Sequence, residues 1–377
     1  MFEHLDDERP FHPNDDFHQT VLSHAARRTR HRHRTWVATT TVVLIAGASV
    51  AYARSGVTDD HRVTVGGLTT IGSTDTGSVD SSTTPASPLT APINILLVNV
   101  DGGASTDPTW SVPDSERWQK PRNDGLTILR VDPVRHRLAT LSIPPGLWLP
   151  GSGHQRIPDL LVSDPATLTA AVTKLTGVPI DHYVLIDFDG FKQIIDHLGG
   201  VDLPFDTTVD DPQVAFTASP GCNHVDGDLA LAYFRSRHMR SLGADGVLHE
   251  DPTSFEGTIA RRIDLLRRLL TKVVAQPGSD ADKAGLVDFI LGHVTVDTAL
   301  TASTLRSTWA TIDQVGPTLA AYNLNEGIKA TKIDGAVGLV ADPATVQDVT
   351  HSFLNASSSD AGSPNPAQAI TSSDRQC

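Results

Sequence analysis

Cysteine is nearly missing from this chain. Cys222 and Cys377 are the only two in 377 residues, which excludes a zinc ribbon, an iron–sulfur cluster and a disulfide-rich scaffold. Basic charge is short as well: 30 Lys and Arg stand against 44 Asp and Glu, a formal net charge of −14. That balance argues against nucleic acid as the main partner. No G-x-S-x-G elbow, Walker A loop, H-E-x-x-H or paired C-x-x-C occurs. Histidine is plentiful at sixteen, but His4, His12, His18, His24, His31 and His33 precede any folded segment, so a histidine metal site in the domain has little support. With 39% hydrophobic and 20% charged residues, the chain is neither wholly disordered nor a polytopic membrane protein.

One long uncharged run is present, the 18 residues from Trp36 to Ala53, about the minimum for a bilayer span. Trp36 and Tyr52 sit at its ends, where interfacial aromatics belong, and Arg27, Arg28, Arg30, Arg32 and Arg34 precede it. The pattern predicts a single-pass transmembrane helix over 36–53, with residues 1–35 a disordered cytoplasmic tail and the bulk outside the cell membrane. Ala51-Tyr52-Ala53 also reads as a cleavage site for a removable signal peptide, and a buried core helix is a further reading of the run.

Ser, Thr, Gly and Pro dominate much of 54–92, which reads as a flexible extracytoplasmic linker, and 356–377 reads as a disordered tail. The folded block is 93–355. Within it, Ile93 to Val98, Leu126 to Val131, Leu138 to Ile143, His182 to Asp187 and Val201 to Leu203 read as strands. Pro165 to Leu175, Phe188 to Leu198, Asp228 to Phe234, Ile259 to Val274 and Ala281 to Leu291 read as helices. Ser241 to Glu256 reads as an irregular loop. Alternating periods predict an α/β fold, a sheet with helices on its faces.

Acids and arginines recur at strand and helix ends. Asp101 follows the first strand, Arg122 and Asp124 precede the second, and Arg235 and Arg237 follow a helix. Carboxylates there suit Mg²⁺, and arginines suit phosphate. The chemistry indicated is metal-assisted work on a pyrophosphate or phosphodiester. Simpler readings stand beside it. Asp101 caps a turn; Arg122 and Asp124 form a surface ion pair; Arg261, Arg262, Arg267 and Arg268 make the solvated face of a helix. Asp187, Asp189 and Asp196 cap the helix holding Phe191. Leu168, Val172, Leu175, Ile194 and Ile195 are core, or else line a lipid tunnel. Cys222 and Cys377 would face an oxidising exterior, where a disulfide between them is possible.

Longer motifs carry a resemblance. Gly177-Val178-Pro179-Ile180-Asp181-His182-Tyr183 runs on through Asp187-Phe188-Asp189-Gly190-Phe191 to Asp196-His197-Leu198-Gly199-Gly200-Val201. Asp226 to Arg237 reads D-G-D-L-A-L-A-Y-F-R-S-R, and Asn94 to Asp101 is an apolar strand ending in aspartate. Over about Ile93 to Leu270 the chain resembles the LytR–CpsA–Psr family of cell-envelope proteins. The resemblance implies an αβα sandwich with a central mixed β-sheet. It also implies a phosphotransferase that moves a glycopolymer from a polyprenyl-pyrophosphate lipid carrier to peptidoglycan. On that footing Asp101 and Asp124 are metal ligands for Mg²⁺, or Mn²⁺ in its place. Arg122, Arg235 and Arg237 act on the phosphates with Asp101, and Arg261 joins them in binding substrate.

The chain departs from the family pattern in places. The motif S-I-P-R-D reads Ser142-Ile143-Pro144-Pro145-Gly146, and the helix motif with paired glutamines reads Gly257-Thr258-Ile259-Ala260-Arg261-Arg262-Ile263-Asp264. Proline cannot clamp a phosphate. A second reading therefore stands: a catalytically impaired homologue that binds polyprenyl-linked precursors and assists or regulates wall assembly. A third is an envelope-stress attenuator working through the basic tail.

Overall fold

Alternation within the first apolar run sets the layering. Ile93 and Ile95 point to one face of a sheet while Leu96, Val98 and Val100 point to the other, and all five are buried. A strand buried on both faces needs cover on both. The computed structural model describes residues 61–68, 86–101, 122–144, 146–148, 165–252, 255–275, 280–325, 327–333, 336–356 and 377. All belong to the unit Val57–Cys377. The basic tail and the uncharged run 36–53 lie outside the described residues. Among the described residues no helix is long and apolar enough to cross a membrane.

The central sheet is mixed and seven-stranded. Its middle is β2 (Ile93–Asp101), β3 (Arg122–Asp132) and β4 (Arg137–Ile143), an antiparallel meander. β5 (His182–Asp187) runs parallel to β2, and β13 (Leu319–Asn323) parallel to β4. Beyond β5 lie β12 (Thr295–Asp297) and then β1 (Arg62–Val63), the outermost strand on that side. The strand order is therefore β1-β12-β5-β2-β3-β4-β13.

Helices cover both faces. On one, α1 (Pro165–Thr176) and α7 (Pro343–Asn355) bury Leu168, Val172, Val346 and Phe353 against Leu96, Val98, Ile128 and Leu141. On the other, Leu266 and Leu270 of α4 (Phe255–Ala275) and Ile312 of α6 (Ala302–Val315) pack on Ile93, Ile95, Val131 and Leu138. The αβα sandwich with a mixed sheet is therefore observed. α2 (Phe188–His197), α3 (Gly227–Arg235) and α5 (Asp280–Leu291) complete the helices used below. Leu168 and Val172 are core of the first face and Ile195 belongs to a separate cluster under α3.

Smaller sheets sit beside the main one. β6 (Val201–Phe205) pairs with β9 (Gly221–Val225). β7 (Val209–Asp211), β8 (Phe216–Ala218), β10 (Arg240–Leu242) and β11 (Leu248–Glu250) form a four-stranded sheet. β14 (Ile328–Ile333) and β15 (Ala336–Ala341) make a hairpin.

Three expectations need correction. The segment 241–256 contains the β10–β11 hairpin, closed through Gly243 and Gly246; its apolar content is too low to read as strand, and pairing with β7 supplies the order. The span 54–92 is not linker throughout. Arg62–Val63 joins the sheet, Val65 is buried, and the Leu89 N–H donates to Thr311 Oγ1 at 2.7 Å. Two-residue strands carry no periodic signal. Nor is 356–377 loose at its end, because Cys377 is disulfide-bonded to Cys222 on β9, with Cα atoms 5.6 Å apart.

Candidate active site

Strand direction brings the sequence-predicted acids together. β2 and β5 run toward the same end of the sheet, an edge made of strand termini, and β3 starts from it, so Asp101 pairs with Arg122 there and Val100 pairs with Asp187. The β2–β3 register slips beside them: Asn99 faces Gly125 while Val100 faces Asn123. Asp124 is the extra residue of that bulge. A bulge re-aims the side chain it carries, and here it sets a carboxylate-bearing residue next to the strand end that carries another. The side chains of Asp101, Arg122 and Asp124 themselves lie outside the described residues. Among the described residues no group of three His, Cys, Asp or Glu is placed to hold a metal.

The arginine pair is delivered by a braced turn. Asp226 caps α3 by accepting from Leu229 N, and Asp196 Oδ1 accepts from Gly227 N at 2.8 Å. Gly227 lies so close to the backbone of Lys192 on α2 that any Cβ would overlap it. α3 ends at Arg235, and Ser236 leaves helical geometry with ψ 122°. Arg235 is thus the last residue of the helix rather than beyond it, and Arg237 follows the helix as expected. The Arg235 guanidinium lies 4.4 Å from the centroid of the Phe188 ring.

Ser236 is clamped from two sides. Its hydroxyl donates to Asp211 Oδ2 at 2.7 Å, and the same oxygen accepts from the N–H groups of Arg237 and His238 at 3.2 and 3.0 Å. Its carbonyl accepts from Arg261 Nη2 at 2.8 Å and from Thr258 Oγ1 at 2.9 Å.

Arg261 is fully buried and pairs with Asp251 at 3.2 Å. Burial pulls its pKa below the usual arginine value, opposed by the charge of Asp251. The expectation that Arg261 meets substrate is corrected: its guanidinium holds the turn that carries Arg235 and Arg237. The solvated-face reading fails for the rest of the helix too. Arg267 donates to the Leu319 carbonyl and Arg268 pairs with Asp264.

Arg262 was not among the residues predicted to bind, yet it reaches the sheet edge. Its Nε donates to the Phe234 carbonyl at 3.1 Å, and its guanidinium lies 4.5 Å from the Phe234 ring centroid. Its Nη1 lies 2.9 Å from where a Cβ on Gly125 would stand. The only sequence signal was Gly125 itself, directly after Asp124.

The remaining motif residues build the scaffold. Asp187 caps α2 through Gly190 N at 2.7 Å, and Gly190 passes so near the His293 carbonyl that a Cβ would overlap it. Asp189 pairs with Lys192 at the surface. Asp196 holds α3 rather than capping its own helix. Asp181 accepts from Asn94 N at 2.7 Å, and burial raises its pKa. His182 Nδ1 lies 3.3 Å from buried Asp297. Pro145 lies outside the described residues. Just after it, the Trp148 N–H donates to the Leu339 carbonyl at 2.9 Å, which ties this segment to β15.

Residues 69–246 match the LytR_cpsA_psr family. The chain carries a LytR–CpsA–Psr domain. A curated relative is TagV of Bacillus subtilis (strain 168), a polyisoprenyl-teichoic acid–peptidoglycan teichoic acid transferase, 30% identical over 173 residues, or 41% of this chain and 40% of that protein. The chain spans about half the length, or less, of the curated relatives it matches. The crystal structure of B. subtilis TagV superposes with a TM-score of 0.54 at 18% identity, covering 70% of this chain and 96% of the other. A LytR-Csp2A-Psr enzyme from Actinomyces oris gives a TM-score of 0.52 at 19% identity, covering 78% and 96%. These likenesses establish the LytR–CpsA–Psr fold, with its central mixed sheet between helices.

Proposed function

We propose that this protein is a membrane-anchored extracytoplasmic phosphotransferase. It moves a glycopolymer from a polyprenyl-pyrophosphate carrier to peptidoglycan. The observation that carries the reading is the sheet edge: Asp101, Arg122 and the bulged Asp124 are adjacent there, and Arg262 reaches the same edge against Gly125. Paired carboxylates and guanidinium groups suit a pyrophosphate, whose charge must be neutralised as its bridging bond breaks. The naming of relatives as teichoic acid transferases supports the same chemistry.

Asp101 and Asp124 are the residues that would hold Mg²⁺; an all-oxygen carboxylate pair fits that hard cation. The ion would supply neutralising charge. Arg122, Arg235 and Arg237 bind phosphate oxygens and orient the glycan-side phosphorus. A hydroxyl of the peptidoglycan acceptor attacks that phosphorus, the bridging P–O bond breaks, and the polyprenyl monophosphate leaves. The acceptor's proton passes to a base at this edge, for which Asp101 is the candidate. The run 36–53 anchors the chain with its N-terminus inside the cell. The Cys222–Cys377 disulfide agrees with a domain outside it.

The test is turnover by the full chain in detergent with a short polyprenyl-pyrophosphate glycan and Mg²⁺, following release of lipid monophosphate. Release lost in Asp101→Ala supports the transferase. Binding without release supports the second reading, a precursor-binding homologue, which Pro145-Gly146 in place of arginine and aspartate favours.

A further inference from the structure

The resemblance points to Arg261 as the phosphate-binding cation of α4, but the geometry points to its neighbour. We infer that Arg262 is a phosphate-binding residue of this site, taking oxygens of a pyrophosphate group, and that Gly125 is glycine to admit it. The inference rests on the phosphotransferase reading. Arg261 is turned inward, fully buried between Asp251 and the Ser236 carbonyl. Arg262 extends the other way, over the Phe234 ring and onto Gly125. Gly125 pairs with Asn99, one residue from the bulged Asp124 and two positions from the Asp101 end of β2.

Two features fit a bound anion. First, Nε is committed to the Phe234 carbonyl and the ring backs the guanidinium plane, so the group is preorganised as a planar fork, the form suited to phosphate. Second, Gly125 costs β3 strand propensity, and its Cβ would fall 2.9 Å from Arg262 Nη1. Arg262 also places a cation at this edge, while Pro145 stands where the family pattern has an arginine.

The experiment measures binding of inorganic pyrophosphate and of farnesyl pyrophosphate to the full chain by calorimetry, in wild type, Arg262→Gln, Arg262→Lys, Gly125→Ala and Arg268→Gln. Loss of one charge-assisted bidentate contact is expected to weaken binding about 10- to 100-fold in Arg262→Gln. Arg262→Lys recovers only part of the affinity, because an ammonium has no planar fork. Gly125→Ala weakens binding by displacing Arg262. Arg268→Gln, which removes the same charge from the same helix, leaves affinity within about twofold. Wild-type affinity in Arg262→Gln overturns the assignment alone. Equal weakening by Arg268→Gln also overturns it, in favour of general charge. Absence of pyrophosphate binding by the wild type overturns the phosphotransferase reading and this assignment with it.

Discussion

The Ser236 hydroxyl donates to the Asp211 carboxylate at 2.7 Å, and both residues are completely buried. That bond fixes where α3 stops and where the chain carrying Arg237 goes. Asp211→Ala would strand three donors on one side of the turn, the buried Ser236 hydroxyl among them, at a cost of about 3–5 kcal/mol. Asp211→Asn keeps an acceptor there and is expected to fold. Its glycopolymer transfer should fall about tenfold or more through kcat, because a neutral amide oxygen holds the Arg237 N–H less firmly than the carboxylate does. Thermal unfolding and steady-state kinetics on both variants check this; unchanged kinetics in Asp211→Asn would remove Asp211 from any positioning role.

Two glycines should respond in opposite directions. Gly190→Ala forces a methyl into the His293 carbonyl, and overpacking of this kind costs about 1–3 kcal/mol. Gly285 on α5 has nothing within 4 Å of where a methyl would stand, so Gly285→Ala should stabilise by up to about 1 kcal/mol through helix propensity. Urea unfolding of the two variants gives the signs directly.

Reduction of Cys222–Cys377 should destabilise the domain. The bond spans 155 residues of sequence, and removal of a cross-link of that kind costs about 2–4 kcal/mol. Urea midpoints with and without reductant measure it. Cys222→Ser should show the same loss and no further response to reductant.

Stability should fall on acidification through Asp297. Burial alone would raise the pKa of this carboxyl, but bonds from His182, Tyr183 N and Ala299 N outweigh it and leave it below the usual aspartate value. A depressed folded-state pKa stabilises above the unfolded value, near about 4, and that contribution is lost as pH drops through the folded value. Asp297→Asn should therefore flatten the acid limb of a Tm-against-pH profile below about pH 4, while lowering Tm at neutral pH.

Restoring the family motif should raise turnover. A Cβ on Gly146 would meet only the Leu339 Cδ1 methyl, at 3.2 Å, and Leu339 is 37% exposed and able to move. Pro145→Arg with Gly146→Asp is thus expected to fold and to increase lipid monophosphate release above wild type, by about tenfold or more if the lost cation limits the rate. An unchanged rate would show that Arg262 or another group already fills that role.

Local patterns were legible where they are local in physics. The apolar alternation of Ile93 to Val98, the caps at Asp187 and Asp226, and the apolar stripe of α2 act within a turn or a strand, so the sequence by itself determined these elements and the α/β class. The convergence of Asp101, Arg122 and Asp124 was readable as strand-end acids and arginines. What their register would be was not, because a bulge exists only once β2 and β3 pair. The β10–β11 hairpin and Arg62–Val63 likewise owe their order to partners far along the chain. The arginines of α4 show the limit most sharply. Arg261 and Arg262 are consecutive and differ by about 100° around the helix axis. Which one braces the Ser236 turn and which one reaches Gly125 depends on the rotation of that helix. Only tertiary packing decided it, through Ile259 and Leu265 buried on the side that the rest of the fold provides.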